Sequence, residues 1–247
     1  SAGTENTQIT WMDVKIDNHA ITPRNGKTVE LNALWYNALK IMARLAEKYE
    51  NKQLCRKYLE MAEKTKKSFD EKFYNEEKHC LYDVLGDSKV RPNQLFALSL
   101  SHPIVDNAEI AEQVLNTVEN KLLNKYGLKT LSSDEDGYVD VYEGSAYKRD
   151  SSYHQGITWP WLLGLYYDAL KNTIIIEKNR TKRQELEEKI TKLVDTTKET
   201  FKAEMFERSS IGTISEIYDS TEPYEERGAF AQAWSVAEIF RIVLNKR

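Results

Sequence analysis

Apolar residues along this chain recur mainly every three or four positions, the spacing of amphipathic helices. Leu31, Leu34, Trp35, Ala38, Leu39, Met42, Leu45 and Ala46 predict a helix over 29–48. A second is expected over 53–73 on Leu54, Tyr58, Leu59, Ala62, Phe69 and Phe73. Arg91-Pro92-Asn93-Gln94 opens a shorter one that Pro103 ends. Asp106 is the expected cap of the next, carried by Ile110, Val114, Val118 and Leu122. Residues 159–172 are bulky on two faces, as in an inner helix. Residues 180–201 are charged around a narrow stripe of Leu186, Ile190, Leu193 and Val194, as in an outer one. The last helix, over 228–244, is again rich in Ala, Phe and Trp.

About seven helices therefore alternate between aromatic, small-residue sequences and charged ones. This all-α pattern predicts an (α/α) toroid, with inner helices forming a ring and outer ones surrounding it. A helical repeat solenoid is the alternative, but no repeat of about 34 or 40 residues is visible. Short β-hairpins are expected near 74–90 and 126–142, with strands a minority. The polar stretch 132–155, broken by Gly137 and Gly144, reads as a long functional loop.

Composition narrows the partners. A formal charge of −4 gives no basic footprint for nucleic acid. No apolar run has the length of a membrane span, and no signal peptide is visible, so a cytoplasmic location is expected. Cys55 and Cys80 are expected as free thiols in a reducing compartment. The sequon Asn179-Arg180-Thr181 reads as chance. No Gly-rich phosphate loop or Gly-x-Ser-x-Gly elbow occurs, and His19, His79, His102 and His154 lack ligand spacing. No cofactor and no metal are expected.

In a toroid the loops entering the inner helices share one end. Here they are 11–27, 82–92, 132–155 and 212–227, which hold nearly every cluster of aromatic and carboxylate residues. Flat rings stack on sugars, and paired carboxyls can protonate a leaving oxygen and activate water. Asp13, beside Trp11, and Glu216, between Ile214 and Tyr218, are the best candidates for that pair. A helix or turn cap for Asp13 and a salt bridge for Glu216 are equally open readings. Asp83, Asp140, Glu143, Asp150 and Asp219 are rivals. Trp11 and Trp159, among polar neighbours, are expected at a ligand, and Trp234 in the core.

These stretches resemble the glucosidase domain of glycogen debranching enzymes, the amylo-α-1,6-glucosidase family. The resemblance rests on Thr10-Trp11-Met12-Asp13, Thr22-Pro23-Arg24-Asn25-Gly26-Lys27 and Glu30-Leu31-Asn32-Ala33-Leu34-Trp35-Tyr36-Asn37. It continues through Arg91-Pro92-Asn93-Gln94, Arg149-Asp150, Tyr153-His154-Gln155-Gly156 and Trp159-Pro160-Trp161. Gly212-Thr213-Ile214-Ser215-Glu216-Ile217 and Ala231-Gln232-Ala233-Trp234-Ser235 complete it in the family's order. It implies an (α/α)6 barrel and inverting hydrolysis of α-1,6-linked glucose in glycogen limit dextrin. Asp13 takes the position of the general acid and Glu216 that of the general base. Trp11, Asn32, Trp35, Arg149, His154, Gln155 and Trp159 are the expected substrate-binding residues.

The family domain extends well upstream of the acid, so residues 1–247 are expected to be its C-terminal portion, with the N-terminal half of the same enzyme as a partner. Two other readings stand beside this one. The chain can be another barrel α-glucosidase, trehalase-like or glucoamylase-like, or a polysaccharide-binding module that performs no catalysis.

Overall fold

The computed structural model describes residues 3–4, 7–208 and 211–244. After a hairpin, β1 (Lys15–Ile16) and β2 (His19–Ala20), comes α1 (Val29–Lys48), which packs against α2 (Lys52–Asp70). A second hairpin, β3 (Tyr74–Asn75) and β4 (Cys80–Leu81), leads through a 3-10 turn (Pro92–Leu95) into α3 (Phe96–Ser99). Then follow α4 (Ala108–Lys121), β5 (Leu123–Asn124), β6 (Gly127–Lys129), α5 (Ala146–Ser152) and β7 (Thr158–Trp159). The chain continues with α6 (Leu162–Ile176), α7 (Arg180–Glu207), β8 (Ile217–Tyr218), β9 (Glu226–Arg227) and α8 (Ala233–Leu244).

The helices form two layers. α1 packs on α3, α3 on α6, and α6 on α8, giving a continuous inner arc; α2, α4 and α7 pack outside it. Composition explains the division. α6 buries Leu162, Leu163, Tyr166, Tyr167, Ala169, Leu170 and Thr173 nearly all round its axis. α2 and α7 bury one stripe each and give their charges to water. Gly164 sits mid-helix in α6, where it costs about 1 kcal/mol of propensity. Its missing side chain leaves room for Glu238 and Arg241 of α8 to lie against α6, with Arg241 bridging to Asp168 at 2.9 Å. This alternation of inner and outer helices fits an (α/α) toroid.

The structure departs from the expected pattern in three places. The segment expected as an open loop, 132–155, contains α5, an eighth α-helix among the described residues. Its short run is polar and exposed, so it carries no apolar period; the Ser145 side chain caps it by accepting from the Lys148 N–H at 3.3 Å. The cap of α4 is Asn107, whose side chain takes the Glu109 and Ile110 N–H groups, while Asp106 pairs with Lys66 of α2 at 2.9 Å. Third, the hairpin expected near 126–142 is β5–β6, one edge of a five-stranded antiparallel sheet ordered β5-β6-β7-β8-β9. Thr158 pairs with Tyr218 within it, tying the segment before α6 to the one before α8.

Candidate active site

The segments entering the four inner helices converge. The Trp11 ring meets those of His154, Trp159 and Trp161 edge-on at 5.0–5.4 Å between centroids. Trp161, at the start of α6, stacks at 5.0 Å on Trp234, at the start of α8. The Trp11 indole N–H donates to Asn93 Oδ1 at 2.7 Å, which brings in the start of the 3-10 turn before α3. The result is an aromatic floor contributed by the inner-helix entries.

A buried polar framework anchors this floor. Asn93 Nδ2 donates to Asp83 at 2.8 Å, and Asp83 takes Arg24 Nε at 2.6 Å. Arg24 also pairs with Glu30 of α1. Burial opposes the Arg24 charge, but Asp83 and Glu30 outweigh it and push the guanidinium pKa up. Arg91 donates to the carbonyls of Thr130 and His154, at 3.0 and 2.6 Å, and to Gln155 Oε1 at 2.7 Å. Removing one partner from such a buried set leaves an uncompensated charge, which costs about 3–5 kcal/mol. The sequence flagged Arg24, Glu30, Arg91 and Asn93 only as motif members; their joint role needs the contact of segments far apart in the chain.

Asp13 is exposed beside Trp11, and Glu216 is half-buried just before β8. Glu216 Oε2 accepts from the Ala229 N–H at 3.0 Å and Oε1 from Gln232 Nε2 at 3.2 Å. Gly228, at φ +70°, leaves the space: a Cβ there would collide with Glu216 Oε2. Burial, then the Glu216 carboxylate and more weakly Asp13, push the Tyr153 phenol up, so both carboxylates act on that side chain. Two of the rival carboxylates are already paired, and three are exposed as Asp13 is. Asp83 is spent on Arg24; Asp219 is buried, taking the Tyr142 N–H at 2.7 Å and Arg227 at 2.8 Å; Asp140, Glu143 and Asp150 are exposed.

The expected binding residues divide. Trp11, His154, Gln155 and Trp159 come together in and under the floor. Arg149, exposed on α5, donates to the Gly144 carbonyl at 2.7 Å and faces the Tyr142 hydroxyl. Trp159 is a correction: it is 1% exposed, enclosed by Trp11, Tyr153, His154 and Trp234, with its N–H on the Tyr153 carbonyl at 3.1 Å. It lies on the middle strand of the sheet, so it supports the floor from below and offers no face to a sugar. Trp234, expected in the core, stays partly exposed while it stacks on Trp161. His154 is buried too. Burial first, then the charges of Arg91 and Arg24, push its pKa down to about 3, so the imidazole is neutral at working pH. Its Nδ1 has no hydrogen-bond partner among the described residues. Asn32 bonds back to the Thr28 carbonyl at 2.7 Å. Trp35 is 49% exposed on α1 and makes no ring contact with the cluster among the described residues. Tyr142, Tyr153 and Gln232 were not foreseen as site residues; their only sequence signal was membership of, or closeness to, the aromatic motifs.

Solved structures share this fold. A sialidase superposes with a TM-score of 0.64 at 12% identity, over 89% of this chain and 20% of its own. A GH63 mannosylglycerate hydrolase from Thermus thermophilus, in complex with Tris, superposes at 0.57 and 12% identity, over 89% and 45%. An uncharacterized conserved protein from the same organism gives 0.58 at 13%, over 89% and 46%. The chain thus spans less than half the length of each of these, and at such identities the likeness is one of fold. The two-layer helical scaffold is one that a GH63 hydrolase also carries. The sequence model for amylo-alpha-1,6-glucosidase matches residues 1–241, nearly the whole chain, and the chain belongs to that family.

Proposed function

We propose that residues 1–247 form the C-terminal portion of an (α/α)6 glucosidase domain that removes α-1,6-linked glucose from glycogen limit dextrin with inversion. Asp13 protonates the departing glycosidic oxygen, and Glu216 takes a proton from the attacking water on the opposite face of the sugar. The observation that carries this reading is the ring cluster joining the two carboxylates' segments: Trp11, two residues before Asp13, meets Trp161, which stacks on Trp234 of α8, and Gln232 just before α8 bonds Glu216. Inversion needs room for a water, so the carboxyl oxygens are expected ~6.5–9.5 Å apart in the complete enzyme. Trp11, Arg149 and Gln155 contact the terminal glucose from the rim, and the buried, neutral His154 supports them from beneath. The unpaired Cys55 and Cys80 support a reducing compartment, the cytoplasm. Among the described residues no helix is long and apolar enough to cross a membrane.

The test is proton NMR of the sugar first released from limit dextrin by the full-length protein, run beside Asp13→Asn and Glu216→Gln. The expected product is β-glucose, with turnover lowered on the order of 10²–10⁴-fold in each variant. First-formed α-glucose would mean a double displacement through another nucleophile. Preference for trehalose or linear α-1,4-glucan would assign a different barrel glycosidase. Binding of glucan without hydrolysis would make the chain a binding module.

A further inference from the structure

Asp13 is exposed, but the chain on either side of it is held. After it, the Val14 carbonyl accepts from the Gln8 side chain at 2.6 Å and from the Ile21 N–H at 3.1 Å. Before it, one side chain reaches both preceding residues. Asn93, fully buried in the 3-10 turn before α3, takes the Trp11 indole N–H on Oδ1 at 2.7 Å. Its Nδ2 lies 3.5 Å from the sulfur of Met12, which is buried as well. The same Nδ2 donates to Asp83 Oδ1 at 2.8 Å, and Arg24 grips Asp83 through Nε at 2.6 Å and Nη2 at 2.9 Å. Arg24 in turn donates to Glu30 of α1 at 2.7 Å, so a continuous polar chain runs from α1 to Trp11. We propose that Asn93 is a positioning residue, whose side-chain amide fixes Trp11 and Met12 so that the Asp13 carboxyl meets the departing glycosidic oxygen. This role rests on the reading of Asp13 as general acid.

The place requires an amide. An indole N–H only donates and an ionised carboxylate only accepts, so the group between Trp11 and Asp83 must do one of each. Asparagine does both, and its two partners settle which end faces which. An apolar residue of similar size would leave the indole N–H without an acceptor in a buried setting. The rings around Trp11 do not replace that bond. Trp11 meets His154, Trp159 and Trp161 edge-on, and such contacts tolerate tilts that a hydrogen bond of 2.7 Å does not. Asp13 follows two residues later, so a tilt of Trp11 is carried to the carboxyl. A displacement of about 1 Å at a reacting group can cost about 10²-fold in rate.

Changing the leaving group isolates the acid. With limit dextrin the C1–O6 bond breaks, the departing oxygen takes the Asp13 proton, and water bonds to C1 as it gives its proton to Glu216. With α-glucosyl fluoride the C1–F bond breaks and fluoride leaves as an anion, so no proton from Asp13 is required, while the glucose and the attack of water are unchanged. Asn93→Ala in the full-length protein is expected to lower kcat for limit dextrin on the order of 10–10²-fold, and kcat for the fluoride by no more than about twofold. A side chain that only maintains the fold would slow both substrates alike. Thermal unfolding shows whether Asn93→Ala is folded. If it is not, Trp11→Phe removes the same indole N–H, keeps a ring in the floor and is judged by the same split. Equal losses on the two substrates, or no loss on limit dextrin, overturn the proposal. Asp13→Asn tests the reading beneath it. The same split in that variant retains Asp13 as the acid whatever Asn93 does; no split there removes the acid, and with it any residue that positions it.

Discussion

At the scale of single residues, the candidate base is defined by space as much as by partners. Gly228 has φ +70°, where a side chain is strained, and its Cα faces Glu216 Oε2. An added methyl must displace the carboxylate, because it would lie far inside van der Waals contact with that oxygen. Gly228→Ala is therefore expected to lower kcat severalfold or more, while the unfolding temperature falls by only a few degrees, consistent with about 1 kcal/mol. Steady-state kinetics beside thermal unfolding checks this; unchanged kcat would show that Glu216 relocates without consequence. The same scale explains why Asp83 and Asp219 dropped out as rivals. Each is buried and paired with an arginine, so little of its acceptor capacity is left for a substrate.

At the scale of elements, the β8–β9 hairpin rests on α7 through a buried acid. Glu204 is 0% exposed although its helix is otherwise charged and solvated. The Tyr218 hydroxyl donates to it at 2.9 Å, and Arg208 lies 3.4 Å away, pairing also with Glu226 of β9 at 3.0 Å. The Tyr126 hydroxyl takes Arg208 Nη1 at 2.9 Å. Burial, then the hydrogen bond shared with Glu226, pushes Glu204 up to about 7 against the pull of Tyr218. The folded protein thus keeps a proton that the unfolded chain releases near the ordinary carboxylate value. Stability falls as pH rises between those two values and is flat above, by up to about 3 kcal/mol from this group. Melting temperatures measured between about pH 4.5 and 8 should show that decline. Glu204→Gln, which mimics the protonated acid, should remove it. A variant with the wild-type slope would show that the proton is held elsewhere. Because Glu216 lies two residues before Tyr218, loosening this contact reaches the candidate site.

At the scale of the whole molecule, the inner arc ends in two exposed apolar faces. On α1, Leu34, Ile41, Met42, Leu45 and Tyr49 follow one another at helical spacing, and Trp35 flanks them. On and just before α8, Phe230, Trp234, Phe240 and Leu244 are exposed as well. Contiguous apolar surface of this kind marks an interface. The proposal that the remaining helices of a barrel cover both faces accords with the chain spanning 45% of the GH63 hydrolase's length. Residues 1–247 alone are therefore expected to self-associate and to release little glucose from limit dextrin, and co-expression with the rest of the domain should restore activity. Size-exclusion chromatography and a glucose assay decide it; a fully active monomer would sink the idea. In the full-length protein, Met42→Asp with Leu45→Asp should lower stability, since it places two charges where helix meets helix.

The helices and their division into inner and outer layers were legible in the sequence because that information is local: a helical period of about 3.6 residues and the charge of each face decide both. The carboxylates Asp13 and Glu216 and the rings near them were legible as motifs, because helix-entry segments carry residues that a packed helix does not need. The five-stranded sheet was not legible, since strands of two or three residues are too short to display a period of two. The burial of Trp159 followed from that sheet, which puts its strand in the middle and closes neighbours over both ring faces. The partners of Glu216 were equally hidden: Ala229 and Gln232 reach it only once the segment before α8 folds back across the site. Residue types and their order along the chain determined which groups are available for chemistry. Only the tertiary structure decided which face each one shows and which neighbours hold it, because those depend on contacts between segments that local pattern does not encode.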